Sequence, residues 1–256
     1  MQLIIAPSKT QRTDGREFSE YTQPLFQKES QLLIDRLQKY SMEELSKLMK
    51  TSEQLTLSTH RRLHAFQRPF SPENSSQALF TFQGDTFSTM EAEQYSKAEI
   101  HHAQKHLSIL SGLYGILRPL DLMQPYRLEM AAPLPTSRGT NLYHFWKSLI
   151  TGRVNDMLDK ESDRTLVNLA STEYSKVINK KELKGNMVTI TFKQQQKDIY
   201  KTIPIHSKRA RGLMVHFMIV NRITEAKKLQ QFNLGGYCFK DDISTADNWF
   251  FFREPA

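Results

Sequence analysis

Residues 107–130 read LSILSGLYGILRPLDLMQPYRLEM. An apolar lead-in over 107–110 runs into Ser111-Gly112. Gly115, Arg118-Pro119, Asp121, Pro125-Tyr126-Arg127 and Glu129 follow. Glycine permits a left-handed or closely approached backbone, and proline fixes φ and removes a donor, so the chain is pinned at several points here. Two arginines and two acids sit between those points. The combination suits either of two structures: a tightly folded floor beneath a pocket with charged tips, or a rigid crossover with Arg118–Asp121 and Arg127–Glu129 paired internally.

Outward from this block, the pattern reads as helices and strands of an α/β protein, mixed α+β, and 256 residues suffice for one large domain or two small ones. QLIIA (2–6) reads as a buried strand ending in Pro7-Ser8-Lys9-Thr10, where a lysine flanked by hydroxyls can meet an anion. Apolar spacing predicts a helix over 25–40. Ser41-x-x-Glu44 and Ser96-x-x-Glu99 are capping boxes that open helices through Met49 and His106. Further helices are predicted over 53–66, over 71–80 from Ser71-Pro72 as N-cap and N1, and over 141–158. FQGDTFSTM (82–90) is a turn that lines a site or breaks the chain. RTLVNLA (164–170) is a buried strand ending in six polar residues, Ser171-Thr172-Glu173-Tyr174-Ser175-Lys176. Residues 187–193 and 198–205 alternate as a hairpin, Ser207 caps a helix over 208–222, Thr224 opens a short helix to Phe232, and strands close the chain over 237–240 and 249–253.

The chain carries 35 basic and 27 acidic side chains, a net +8. Residues 176–222 hold 11 Lys and Arg against two acids, so this stretch is +9 and the remainder −1. Such concentration is the footprint of a phosphate or nucleic-acid binder, or of a solvated basic face. No apolar run approaches the roughly 20 residues of a membrane span. The N-terminus lacks a secretory pattern, and the lone Cys238 excludes an internal disulfide, both in keeping with a reducing cytoplasm.

The candidate phosphate contacts are Lys9, Arg118, Arg127, Lys176, Lys208, Arg209, Arg211 and Arg222, drawn from separated segments. Lys208, Arg209 and Arg211 are expected in the first turn of their helix, against its dipole, an arrangement that an anion would relieve. With no zinc-finger, homeodomain or RNP motif, DNA would be held through its backbone. The alternative is an enzyme acting on a nucleotide or nucleobase, with Glu173 as base, Tyr174 as acid and Lys176 as electrostatic stabiliser beside Lys9 and Arg118. No metal or other cofactor is expected. His60/His64 and His102/His106 are paired at helical spacing, but Glu99-x-x-His102 occurs once, where di-iron bundles need two copies and two further Glu.

The central block closely resembles the signature of the YaaA peroxide-stress-response family. So do APSKT (6–10), FQGDTF (82–87), LYHFW (142–146), VNLASTEYSK (167–176), KRARGLMVHFMIVNR (208–222) and FNLGGYCF (232–239). Ala6 and Ser8 depart from the family's Ser-Pro-Ala-Lys-Thr, and Lys147 stands where the family usually has Gly. The resemblance implies a bacterial cytoplasmic protein that limits free iron and oxidative DNA damage under peroxide. It also implies a fold particular to the family, a single domain over residues 1–256 with a mixed sheet, surrounding helices, a basic cleft and a helix-hairpin-helix-like element tied to DNA binding, for which the turn at 111–115 is the candidate.

Overall fold

The computed structural model describes residues 1–12, 18–196 and 199–254. Its strands are β1 (Gln2–Ile5), β2 (Ser76–Gln77), β3 (Leu107–Ser111), β4 (Gly115–Leu117), β5 (Leu122–Met123), β6 (Thr165–Asn168), β7 (Asn186–Gln196), β8 (Ile199–Lys201), β9 (Tyr237–Phe239) and β10 (Asn248–Arg253). Its helices are α1 (Gln27–Leu37), α2 (Met42–Met49), α3 (Glu53–His64), α4 (Ala78–Thr81), α5 (Asp85–Ser88), α6 (Lys97–His106), α7 (Leu142–Leu158), α8 (Thr172–Ser175) and α9 (Pro204–Val220).

The sheet runs β4-β3-β1-β6-β7-β10-β9, with β8 added to β7. β3, β1, β6, β7 and β10 are mutually parallel, and β4, β8 and β9 run against their neighbours. Interior parallel strands lie between two layers, so they read as largely apolar runs. β1 and β3 are buried at every residue, polar Gln2, Ser108 and Ser111 included; β1 is the strand expected over 2–6, whereas the sequence shows β3 only as an apolar lead-in. β7 alternates instead, which fits a strand with one wetter face.

The chain leaves β1 for β3 on one side and leaves β6 for β7 on the other, while β1 and β6 are neighbours in register Gln2↔Leu166 to Ile4↔Asn168. Connections that diverge in this way open a crevice beyond the carboxyl ends of the two strands, where α/β sheets hold their ligands. β7 continues seven residues past its last pairing with β6 at Thr189, about 23 Å of strand. Thr189, Ile190 and Thr191 of β7 line one side of that crevice.

Residues 107–130 form β3, the turn to β4, β4 and β5, and are largely buried. Gly112 packs so tightly that a Cβ there would lie 2.2 Å from the Leu128 carbonyl oxygen, and its own carbonyl accepts from Trp146 Nε1 at 2.9 Å. Tyr126 and Ser111 share a buried hydrogen bond of 2.7 Å, and Tyr114 Oη donates to the Gln124 carbonyl at 3.1 Å. Both capping boxes form, and Asn141 caps α7 by accepting from the His144 amide.

Three sequence expectations need correction. Residues 71–80 are not one helix: the Asn74 side chain accepts the Ser71 amide in a turn, and Ser76–Gln77 then pairs with Leu122–Met123 before the short α4. The turn at 111–115 is a β-turn, with Ser111 opposite Gly115 and all five residues buried, so it offers no surface to DNA. Two helices joined by three residues do occur, at α2 and α3. The third concerns α9, which begins at Pro204 rather than after Ser207; proline at N1 and an extended Ile203 start it early. Lys208, Arg209 and Arg211 therefore occupy its second turn, where the N-terminal dipole is weaker than in the first. Asp198 of the expected hairpin lies outside the described residues; β7 and β8 do pair, but from Gln194↔Lys201 to Gln196↔Ile199, so the glutamines expected in the turn continue the strand, and Pro204 and Ile205 belong to α9.

Candidate site at the crevice between β1 and β6

Beyond the ends of β1 and β6 lies a cavity of about 340 Å³. Lys9 reaches it from the loop after β1, and Ser171, Glu173 and Tyr174 from the turn after β6. Asp85 and Thr86 come from α5, and Lys208 and Arg211 from α9. Two glycines hold these pieces together. Gly84 takes φ +100 to start α5, and a Cβ there would sit 3.1 Å from Ser8 Oγ. Gly212 lets α9 lie directly on α5, with Thr89 Oγ1 donating to the Arg209 carbonyl at 2.9 Å.

The charges differ in how far they are spoken for. Lys9 Nζ is 2.8 Å from Glu129 Oε1, which Arg127 also approaches at 3.6 Å. Arg209 turns to Asp85 at 3.5 Å. Lys208 is exposed and has no acidic partner among the described residues. Arg211, like Arg127, has a buried Nε without a hydrogen-bond partner; unlike Arg127 it approaches no carboxylate among the described residues, and burial pushes its guanidinium below the ordinary arginine range. An unpaired buried cation is costly unless an anion joins it.

Glu173 Oε1 accepts weakly from the Ala131 amide at 3.3 Å, and its carbonyl accepts from Tyr143 Oη at 2.8 Å, which fixes α8. Burial, reinforced by Tyr126, Glu173 and Glu129, raises the Tyr174 hydroxyl far above its ordinary value. Tyr174 therefore stays neutral and serves as a hydrogen-bonding wall; as a proton donor it is poorly matched to neutral pH.

Of the residues read from sequence, Lys9, Lys208, Arg211, Glu173 and Tyr174 meet at this cavity. Arg127 lines an adjoining recess with Lys9 and Tyr174. Lys176 lies behind α8 on a second cavity that shares Arg211. Arg118 does not join them. At the β4 edge it clamps the buried Asp121 at 2.8 Å, and Asp121 also accepts from Thr22 at 2.6 Å, so the internal pairing is the arrangement that forms. Arg222 stands past the end of α9, 11 residues from Arg211 and about 16 Å along the axis. Sequence reasoning left out Asp85, Thr86 and Ser207; the Gly84-Asp85 step in FQGDTF was the available signal for the first two.

The paired histidines have other partners. His60 and His64 stack at 4.1 Å, and His106 Nδ1 meets the Met1 carbonyl at 3.0 Å with Glu161 3.5 Å away. His102 Nε2 contacts the Ile223 carbonyl at 3.2 Å. Among the described residues no three His, Cys, Asp or Glu gather as a metal would require, and no helix is long and apolar enough to cross a membrane.

Segments far apart in the chain, 6–10, 82–87, 167–176 and the start of 208–222, thus converge on one crevice. Residues 1–243 match the family described as Peroxide stress protein YaaA. The chain belongs to this family. It is similar over 99% of its length to UPF0246 proteins of Acaryochloris marina (47% identical, 100% of that protein covered) and Psychromonas ingrahamii (44%, 99% covered). A UPF0246 protein of Neisseria gonorrhoeae is 42% identical over 99% of the chain and 98% of its own length. The YaaA-family motifs at the start of the chain, after β6 and along α9 are therefore the ones that build the crevice.

Proposed function

We propose that this member of the peroxide-stress family binds DNA in the bacterial cytoplasm, holding the phosphate backbone at the crevice between β1 and β6. In this reading the limitation of free iron follows from that binding. One observation carries it: Lys9, Lys208 and Arg211, from two distant segments, converge on one cavity flanked by Arg127 and Lys176, and neither Lys208 nor Arg211 has an acidic partner among the described residues. Cations gathered in a low-dielectric crevice raise the local concentration of a polyanion, and each phosphate neutralised releases counterions. Lys208 and Arg211 are the main contacts. Lys9 and Arg127 share Glu129 and contribute less, and Arg118 and Arg222 stand outside the surface.

The test is the salt dependence of duplex binding by fluorescence anisotropy. Lys208→Glu is expected to weaken binding equally for all sequences and to flatten the log–log salt slope by about 0.9 for each phosphate no longer neutralised. Unchanged affinity and slope in Lys208→Glu combined with Arg211→Gln would exclude the reading.

A second reading rests on the cavity itself. Its volume falls in the range of small-molecule sites, roughly 300–1,000 Å³, and Asp85 and Glu173 stand in its wall beside the cations. Turnover of a nucleotide there would depend on Glu173 as base. Glu173→Gln would then abolish turnover and leave DNA affinity in place, and absence of turnover by the wild type across nucleotides and nucleosides would dismiss it.

A further inference from the structure

α8 and Arg211 divide the crevice in two, and the two sides differ in sign. The cavity already described carries the carboxylates Asp85 and Glu173 among its cations. The one behind α8, about 470 Å³, has no carboxylate among its described lining residues. Lys176 and Lys180 stand at its rim, Arg211 in its wall, and Thr189, Thr191 and Ser207 supply hydroxyls. Ser207 and Arg211 are four residues apart on α9 and so share a helix face. Ser207 is 5% exposed. The wall is set: Asn168 donates to Thr189 Oγ1 at 3.3 Å and accepts the Ala170 amide at 2.9 Å.

We infer that this second recess is a binding site for a phosphate monoester, with Arg211, Lys176 and Ser207 as its contacts. Hydroxyl donors, a guanidinium fork and a lysine on one side with no opposing carboxylate are the complement of a group with three acceptor oxygens. The charge balance favours a monoester over a diester. A terminal phosphate carries close to two negative charges at neutral pH and a diester one, and the recess offers three cations with no carboxylate among its described lining residues. Two sources share this chemistry: the phosphorylated end of a nucleic-acid strand and a free mononucleotide. The inference rests on the phosphate reading of the crevice and names the group that its carboxylate-free half takes.

The experiment compares single-stranded oligonucleotides of one sequence ending in phosphate or in hydroxyl, by anisotropy. Competition by adenosine 5′-monophosphate against adenosine accompanies it. The wild type is expected to prefer the phosphate end about tenfold, the value of one set of charge-assisted hydrogen bonds. Lys176→Gln, at an exposed position, and Ser207→Ala are expected to erase the preference, whereas Lys9→Glu lowers both oligonucleotides alike and keeps their ratio. A preference at strand ends without competition by the mononucleotide assigns the source to DNA ends. Competition by the mononucleotide without an end preference assigns it to the free nucleotide. Equal affinity for both ends together with no competition overturns the inference, even if DNA binding itself persists. Binding of the mononucleotide with no binding of DNA in either form would uphold the recess and remove the backbone reading instead.

Discussion

Gly212→Ala tests how the crevice is held together, because the sign of its effect is diagnostic. Inside an open helix this change stabilises by about 0.8–1.0 kcal/mol, since alanine loses less backbone entropy. Here the added Cβ would lie 2.0 Å from the Thr86 carbonyl oxygen and 2.1 Å from Thr89 Oγ1. Ordinary contact begins at 3.4 Å, so α9 must withdraw by about 1.4 Å from the α5 backbone, which has no rotamer with which to yield. Overpacking of this kind costs about 1–3 kcal/mol, and the intrinsic gain offsets part of it, leaving a net loss of up to about 2 kcal/mol. At about 2–4 °C per kcal/mol for a chain of this size, the melting temperature should fall by up to roughly 8 °C, where an open helix would gain. The same withdrawal would break the Thr89–Arg209 bond and carry Lys208 and Arg211 away from Asp85, so DNA affinity should fall in the folded variant. Gly152 is the internal control, mid-helix in α7 with nothing within 4 Å of where a Cβ would sit, and Gly152→Ala should stabilise by about 1 kcal/mol. Urea and thermal unfolding of both variants with anisotropy on each decide the matter. A Gly212→Ala protein as stable as Gly152→Ala would refute the close docking of α9 on α5.

Arg118→Ala removes the guanidinium that clamps the buried Asp121 and leaves the carboxylate with the Arg118 amide and Thr22. Stability should fall by about 2–3 kcal/mol in urea titrations, with the salt slope for DNA unchanged in the folded protein. Burial, helped by the neighbouring His106, holds His102 down from 6.5 to about 4. The unfolded state then binds the extra proton, so stability is full above pH 6.5 and declines as pH falls from there towards 4. His102→Asn should flatten that decline, as urea midpoints at pH 7 and pH 5 would reveal.

Local rules reach some of this molecule and stop at others. The capping boxes at Ser41 and Ser96 and the apolar face of α7 depend on residues within a turn or two of one another, so spacing alone locates them. β1 is legible because burial on both faces leaves it mostly apolar, whereas β3, in the Gly- and Pro-rich block, shows only as an apolar lead-in. The order of the strands is not legible, since the parallel pairings of β1 join residues more than 100 positions apart, as in Leu3↔Leu107 and Gln2↔Leu166. Ser71-Pro72 satisfies the helix-start pattern, yet pairing of Ser76–Gln77 with Leu122–Met123 prevails over it. Proline was the decisive signal for α9, but Pro204 closes an alternating run and so reads as the end of a strand. Arg118 reads as a site residue because it lies in a dense motif; its distance from the crevice is a consequence of β4 sitting at the sheet edge.

The basic stretch shows why a segment's net charge locates a site only in part. Of the cations in 176–222, Lys184 is held by Asp159 at 2.8 Å, Arg209 by Asp85, and Lys193 lies over the Phe250 ring at 5.0 Å. Lys176, Lys180, Lys208 and Arg211 line the two cavities. What gathers these four is the path of the chain: α8 follows β6 directly, and α9 follows the β7–β8 hairpin, so both helices begin beside the crevice that the sheet order has opened. Lys9 reaches the same place from β1, in a part of the chain whose charge, without that stretch, is nearly neutral. The site therefore belongs to the switch in strand order, and the charge excess is the part of it that a linear sequence can display.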